Sequence, residues 1–321
     1  MMRYINPGFA EFLDVEGGTT VEGTKFNPDN GVALYQPKDN DGIDFSMETI
    51  PTHFYAKFDV YIPPWAEMSD GIMAKVGFYS NHSGYTGFYG WQLRKYSSDL
   101  DPQVIIGNGS SYDKYVEYKV GGALKFGEVN SFWMHFKARS TSVADGEYQV
   151  YMNGEKIMEN TQKYIYMDAI SKLVIYATQN YGKCCLSNII MSFDEEISLK
   201  EKIQAVPLGD AVTDMNAQED CTYLAEAAGQ QILQTVDVKS LIALYGGVSK
   251  VTGIAIGGRP AYRTGEDLAR LTGISKAGSD QTEHGIRKLH TNTNMGAVDC
   301  YSVNKTIADM AGMQLGWKAG V

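Results

Sequence analysis

The stretch that decides the fold is Phe132–Ile157, which reads FWMHFKARSTSVADGEYQVYMNGEKI. Core-type and wetter residues alternate over 132–138 and again over 148–152, as in a strand with one face on a core. The pair Asn153-Gly154 tolerates positive φ and so suits a tight hairpin turn. The stretch therefore predicts a strand, a loop, a second strand, an Asn-Gly turn and a returning strand.

Similar alternation continues over most of the first 197 residues. Roughly a dozen strand-like runs recur at intervals of about 8–15 residues, separated by turn-forming clusters. The run His53–Ile62 places apolar residues at every second position and ends at Pro63-Pro64, since proline cannot donate to a β-ladder. This rhythm predicts two packed antiparallel sheets.

The motif W-x-H-F-K-A-R … G-x-Y-x-V-Y-M-N-G-E-K-I within 132–157 resembles the central hairpin of concanavalin A-like jelly rolls, the group of laminin-G-like and lectin/glucanase domains. The close resemblance covers only this hairpin. It implies an all-β jelly-roll sandwich for residues 1–197. Because this fold hosts lectins, glycosidases, lyases, adhesion modules and virion proteins, the function must come from a site.

The pattern changes near residue 198, which predicts a second domain over residues 198–321. Gly246-Gly247 after an apolar run is a helix C-cap signal, and one apolar face recurs every four residues between Leu224 and Val236. We expect a small α-rich or α+β domain with one strand, 251–256. Its predicted helices are 199–203, a helix from Asn216 to Val236, 238–245, 264–272, 281–289 and 304–310.

Composition excludes several classes of function. The chain has 321 residues and a net charge of −10, which argues against general affinity for nucleic acid. The stretch 266–276 resembles the start of a helix-turn-helix, but Gly278 would break its recognition helix. No run is long and apolar enough for a membrane span. The four cysteines form no CxxC pair, so we expect free thiols in a protein made in the cytoplasm without a signal peptide.

Seven aromatic rings lie between Phe78 and Tyr96, interleaved with glycines. Sugars stack their apolar faces on rings while polar neighbours bind their hydroxyls, so this mixture suits a glycan site. Alternatively, every second ring fills the sandwich core and the rest contact another subunit. The predicted glycan-binding residues are Tyr79, Tyr85, Tyr89, Trp91 and Arg94.

No catalytic residue is assigned from the sequence. The paired-carboxylate spacing E-x-D-x-x-E of laminarinase-type relatives is absent, and the acidic run 194–196 reads as a solvated turn. Alginate-lyase-type relatives need a His–Tyr–Arg constellation, for which His135, Arg139 and Tyr148 are available. An inward or cross-strand role for His135 is the competing interpretation, and the favoured one.

Metal signals are weak. Asp39, Asp41 and Asp44 could offer oxygens to Ca²⁺, but the distal glutamate of a calcium loop is absent and a plain turn explains the segment. His284 and Cys300 lack zinc-ligand spacing.

These patterns lead to the hypothesis of a non-enzymatic structural or adhesion protein of the bacteriophage type, such as a head-decoration or tail-fibre component on the virion surface. Its jelly roll would be displayed and bind glycans. Its second domain would assemble a homo-oligomer or a larger particle. The alternative is a polysaccharide-active enzyme, a glycosidase or lyase, on the same fold.

Overall fold

The computed structural model describes residues 2–13, 19–35, 43–44, 49–82, 84–96, 99–107, 115–117, 124–140, 143–178, 180–206, 208–218, 223–258, 270–288 and 297–320. The chain divides into two compact units, Met1–Gln204 and Ala205–Val321. The boundary predicted from the sequence lies between residues 197 and 198.

The first unit is built from strands. They are β1 (Met2–Asn6), β2 (Thr19–Glu22), β3 (Val32–Tyr35), β4 (Ile43–Asp44), β5 (His53–Ile62), β6 (Gly71–His82), β7 (Tyr85–Tyr96), β8 (Asp99–Ile106), β9 (Tyr115–Glu117), β10 (Glu128–Lys137), β11 (Gly146–Met152), β12 (Glu155–Lys163), β13 (Ile170–Ala177) and β14 (Cys185–Phe193). Two 3-10 turns, Ala10–Phe12 and Trp65–Glu67, join them.

These strands form two antiparallel sheets. Sheet A has the order β12-β11-β10-β5-β14-β3-β2, with β1 also paired to β14, and sheet B has the order β4-β13-β6-β7-β8-β9. Neighbours in each sheet are often distant in sequence, so the chain crosses repeatedly between the sheets, as in a jelly roll. The all-β jelly-roll prediction for this part of the chain is confirmed.

Aromatic side chains from both sheets fill the space between them. The ring centroids of Phe54 in sheet A and Phe78 in sheet B lie 4.9 Å apart, and those of Phe58 and Trp91 lie 5.1 Å apart. All four side chains are fully buried. Offset and edge-on ring pairs of this kind contribute about 0.5–1.5 kcal/mol each beyond the burial of their area.

The hairpin predicted from 132–157 is present. Phe132 of β10 pairs with Met152 of β11. The turn residues have positive φ, 51° at Asn153 and 88° at Gly154. Since both central residues have positive φ, this tight turn matches the right-handed twist of its strands.

The second unit is also mostly strands. They are β15 (Leu208–Thr213), β16 (Asn216–Ala217), β17 (Tyr223–Leu224), β18 (Gln231–Val236), β19 (Lys250–Gly258), β20 (Arg270–Ala277), β21 (Asp280–Lys288), β22 (Ala297–Thr306) and β23 (Met313–Ala319). Five of them form a sheet of order β15-β18-β23-β20-β21, while β16 pairs β17 and β19 pairs β22. The predicted strand at 251–256 lies within β19.

The described residues of the second unit hold one α-helix, α1 (Val238–Tyr245), which was predicted with these bounds. Asp237 caps it, because its carboxylate accepts the Ser240 backbone N–H at 3.2 Å. It ends at Gly246, whose φ is 80°. A 3-10 turn, Ala308–Met310, is the other helical element described in this unit.

The prediction of an α-rich second domain is wrong. The four-residue apolar spacing before Val236 belongs to β17 and β18, and the predicted helix 281–289 is β21. A spacing of four is even, so it fits a strand face as well as a helix face. The ladder from β18 to β23 pairs the backbone groups that a helix would have paired internally. Residues 199–203 are not helical, and residues 264–269 lie outside the described part.

No helix of the described residues is long and apolar enough to cross a membrane.

Candidate functional site

Two of the five predicted glycan-binding residues lie in the core. Trp91 has no exposed surface, and its ring lies 4.6 Å from that of Phe132. Tyr89 is 3% exposed and stacks on Phe78 at 5.4 Å. The register pairs both residues with inward-facing positions of β6, Val76 and Phe78. The prediction is therefore corrected for Trp91 and Tyr89, because both rings face inward and pack against other rings of the core.

The other three candidates have different surroundings. Tyr79 points away from the core, and its ring meets that of Phe88 edge-on at 5.7 Å. Arg94 is exposed, with its guanidinium 5.6 Å from the ring centre of Tyr96. Tyr85 begins β7, but its side chain lies outside the described part of the structure. Glycan binding by these three residues stays a prediction.

The lyase constellation considered from the sequence does not assemble. Tyr148 faces the core and stacks on Phe136, whereas His135 lies on the opposite face of sheet A. Arg139 follows the end of β10 and packs over Tyr166. The three side chains therefore do not share a surface.

His135 has the cross-strand role that the sequence offered as the competing interpretation. Its Nε2 lies 2.9 Å from Nδ1 of His53, and its ring stacks on Tyr55 at 4.5 Å. Burial, and then the neighbouring His53, lower the pKa of His135 to about 4. His135 therefore resists protonation in the folded state.

We expect the first unit to lose stability as the pH falls from about 6.5, the pKa of an unfolded histidine, towards 4. Between these pH values His135 binds a proton in the unfolded chain but stays unprotonated in the folded protein. The groups facing His135 are His53, Tyr55, Glu147 and Lys137. Urea unfolding at pH 7 and pH 5 should show a smaller acid-induced loss in His135→Gln than in the wild type. Equal losses would contradict this assignment.

The side chains predicted to bind calcium are not in the described part of the structure. Asp39 and Asp41, and the side chain of Asp44, are not in the described part, so calcium binding stays a prediction. Among the described residues, no group of three metal-ligating His, Cys, Asp or Glu side chains occurs. In the second unit, His284 shares a hydrogen bond of 2.8 Å with the Ser275 hydroxyl.

Two of the described carboxylates, Asp194 and Asp59, accept hydrogen bonds that hold a turn or a bulge in place. Asp194 accepts the backbone N–H groups of Thr52 and His53 at 2.8 Å. Asp59 accepts from Asn188 Nδ2 at 2.8 Å, and the same nitrogen lies 3.5 Å from Asp29. Burial raises the pKa of the Asp59 carboxyl. Because these oxygens accept hydrogen bonds that fix a turn or a bulge, we do not assign them to glycoside hydrolysis.

Four polar side chains form a row across the outer face of sheet B, which we call the polar row. Tyr176 of β13 pairs with Lys75 of β6, Lys75 with Gln92 of β7, and Gln92 with Gln103 of β8. Directly paired residues on adjacent strands present their side chains to one face about 5 Å apart. The row therefore spans about 14 Å across four strands.

The polar row is deeply placed although it faces away from the core. Tyr176, Lys75, Gln92 and Gln103 are 5, 8, 6 and 6% exposed. Polar groups at such depth destabilise a fold unless they are hydrogen-bonded, and Gln92 Nε2 donates to Gln103 Oε1 at 3.0 Å. A phenol, an ammonium group and two amides thus stand in a fixed order.

A pair of glycines next to the polar row leaves space for an aromatic ring, Phe88, beside the row. Gly77 of β6 pairs with Gly90 of β7. A Cβ at Gly90 would lie 2.3 Å from the carbonyl oxygen of Val76 and 2.9 Å from the Phe88 ring. The absence of side chains lets Phe88 lie across the pair, and Lys75 Nζ lies 5.6 Å from the centre of that ring.

Gly90→Ala is therefore expected to destabilise the first unit by about 1–3 kcal/mol or more, because the added methyl meets backbone atoms that cannot yield without moving a strand. Thermal unfolding checks the result. Gly209→Ala is the matched control, since its nearest neighbour would lie at 3.7 Å. Equal, small effects of the two substitutions would contradict the close β6–β7 approach.

The polar row was not predicted from the sequence. The alternation that turns Val76 and Trp91 inward also turns Lys75 and Gln92 outward. The sequence therefore indicated that Lys75 and Gln92 face away from the core. The row becomes visible only when the register of four strands is known.

No protein-family model matches the chain. No curated protein matches it either. Among solved structures, the chain is similar to the endo-β-1,4-glucuronan lyase of the fungus Trichoderma reesei, at 13% identity and a TM-score of 0.40 over 59% of this chain and 92% of that one. It is also similar to a variant of alginate lyase Aly36B bound to an alginate trisaccharide, at 14% identity and a TM-score of 0.36 over 56% and 81%.

A third similar structure is domain 4 of AbnA, an extracellular arabinanase of Geobacillus stearothermophilus, in complex with arabinotriose. Its identity is 13% and its TM-score is 0.32, over 60% of this chain and 81% of that one. At these identities the likenesses concern the fold alone.

The expectation of a non-enzymatic virion or adhesion protein is corrected. Several of the solved structures with a similar fold are polysaccharide lyases, which agrees better with the polysaccharide-active alternative.

Proposed function

We propose that the first unit is a polysaccharide-active enzyme of the lyase type that acts at the polar row. The observation that carries the proposal is the register-aligned order Tyr176–Lys75–Gln92–Gln103 on the face of sheet B opposite the core. Buried polar side chains that the core does not require are a feature of functional sites.

The chemistry of the row suits elimination better than hydrolysis. Two-carboxylate hydrolysis needs an acidic pair, and the four side chains of the row include none. Elimination on a uronate polymer needs a positive or hydrogen-bonding group against the sugar carboxylate and a group that moves a proton. The row offers both kinds of group side by side.

The roles follow from these group types. Lys75 and the two glutamine amides neutralise the carboxylate, which makes the adjacent C5–H bond more acidic. The oxygen of Tyr176 takes the C5 proton while its own hydroxyl proton passes to O4, the C4=C5 double bond forms, and the C4–O4 bond breaks. The phenol ends as it began, so no other reactant is consumed. This arrangement agrees with an acidic, uronate-containing polymer as substrate.

The first test is depolymerisation. The full-length protein is incubated with alginate, polygalacturonate and glucuronan, and separately with neutral amylose, and the chain length is followed by size-exclusion chromatography. We expect at least one of the acidic polymers to be shortened and amylose to stay intact. Shortening of none of the acidic polymers would count against the proposed function.

A further inference from the structure

A second group of polar side chains lies where β6 ends, and we call it the end cluster. His82 Nδ1 lies 2.7 Å from Asp168 Oδ2. The His82 ring stacks on Tyr166, with centroids 3.8 Å apart, and the guanidinium of Arg139 lies 4.4 Å from the centre of the same tyrosine ring. The buried ring of Tyr166 therefore contacts both His82 and Arg139.

The side chains of Arg139 and His82 keep groups that can bind a ligand. The Arg139 guanidinium contacts the rings of Tyr166 and Tyr164, and no carboxylate of the described residues lies within ion-pair distance of it. The Asp168 contact occupies only Nδ1 of His82. Because the carboxylate is an acceptor, Nδ1 carries the hydrogen of this contact, and Nε2 on the other side of the ring remains for a hydrogen bond to a ligand.

The end cluster is accessible and fixed in place. The side chains of His82 and Asp168 are 25% and 46% exposed. The backbone N–H of Arg139 donates to the Ile165 carbonyl at 3.0 Å, and the N–H of Asn81 donates to the Ala169 carbonyl at 2.8 Å. These backbone hydrogen bonds fix the positions of Arg139 and His82 relative to the segment 165–169, which carries Tyr166. Binding of a ligand therefore requires little further ordering of the end cluster.

We propose that the end cluster binds an acidic saccharide, with Arg139 on its carboxylate and His82 and Asp168 on its hydroxyl groups. The guanidinium offers a fork of N–H donors that matches a carboxylate. His82 Nε2 and the exposed Asp168 oxygen accept hydrogen bonds from sugar hydroxyls. A carboxylate beside hydroxyls is the pattern of a uronate, whereas an inorganic anion would find two acceptors facing it.

The end cluster is separate from the polar row. His82 lies seven residues beyond Lys75 on β6, which is about 23 Å along the strand. The inference deepens the proposed function by naming an acidic saccharide as a ligand, but it does not require cleavage. Binding and cleavage are measured independently, so either can fail alone.

The test is isothermal titration of the full-length protein with trigalacturonate, maltotriose and inorganic phosphate. We expect trigalacturonate to bind and maltotriose not to bind. Arg139→Gln should weaken that binding at least tenfold, and His82→Gln should weaken it several-fold. Lys137→Gln removes a positive charge nearby in sequence, where Lys137 pairs with Glu147 at 3.4 Å, and should leave the affinity unchanged.

Three results would overturn the inference. They are equal binding of maltotriose and trigalacturonate, unchanged affinity in both Arg139→Gln and His82→Gln, and binding of phosphate without binding of trigalacturonate. Thermal unfolding of each variant shows whether it is folded. If Arg139→Gln does not fold, the His82→Gln titration decides the outcome.

Discussion

Replacing Tyr176 by phenylalanine is expected to lower the rate of polymer cleavage by about 10²–10⁴-fold, the usual contribution of a positioned proton-transfer group. The substitution removes only the phenolic oxygen and keeps the ring that β13 packs against its surroundings. Lys75→Gln should cause a loss of similar order, because the amide cannot supply the charge that opposes the sugar carboxylate.

Matched controls come from the outer face of sheet A. Tyr151→Phe and Lys137→Gln make the same two chemical changes on β11 and β10, away from the polar row. Both controls should keep wild-type rates of cleavage. If Tyr176→Phe and Lys75→Gln, folded as judged by circular dichroism, cleaved as fast as the controls, the polar row would not be the active site.

The second large effect concerns stability. Trp91→Ala is expected to lower the free energy of unfolding of the first unit by about 3–5 kcal/mol, as for other large aromatic residues removed from a core. Its ring is fully buried between Phe58 and Phe132, at 5.1 and 4.6 Å. Deleting it opens a cavity at the junction of the two sheets.

Urea unfolding checks this expectation, with Trp65→Ala as the matched control. Trp65 is 39% exposed and meets Phe126 edge-on at 5.9 Å, so its loss should cost much less. Near-equal losses of stability in the two variants would show that Trp91 is not the core residue described here.

The fold of the first unit was largely readable from the sequence because its signals are local. Alternation over 132–138 and 148–152 and the Asn153-Gly154 turn act within a few residues, and the structure has the hairpin they predict. The face on which each ring of β6 and β7 lies was not readable. Trp91 and Tyr79 belong to similar glycine-rich aromatic runs, and only strand register sends one inward and the other outward.

The second unit shows how a local signal can mislead. Helix α1 was predicted because Gly246-Gly247 follows one short apolar run, and in the structure Asp237 caps its other end. The segment before Val236 carried a spacing that suits both a helix and a strand, and its pairing with β23 decided between them. Long-range pairing of this kind leaves no mark within the segment itself.

The candidate sites depend on the same long-range information. The His–Tyr–Arg group considered from the sequence, but not assigned, combined residues 135, 139 and 148. The structure instead brings Arg139 to Tyr166 and His82, which come from three separate segments. The polar row likewise joins β13, β6, β7 and β8, so residue types could be recognised in advance but not their grouping.

The most direct test of the central claim is the mass of the oligosaccharides that the full-length protein releases from an acidic polymer. Elimination leaves an unsaturated sugar at the new non-reducing end, so the two fragments together equal the mass of the intact chain. Hydrolysis adds the mass of one water. We predict unsaturated products from the wild type and almost none from Tyr176→Phe. Saturated products, or release of the same products by the variant, would contradict a lyase acting at the polar row.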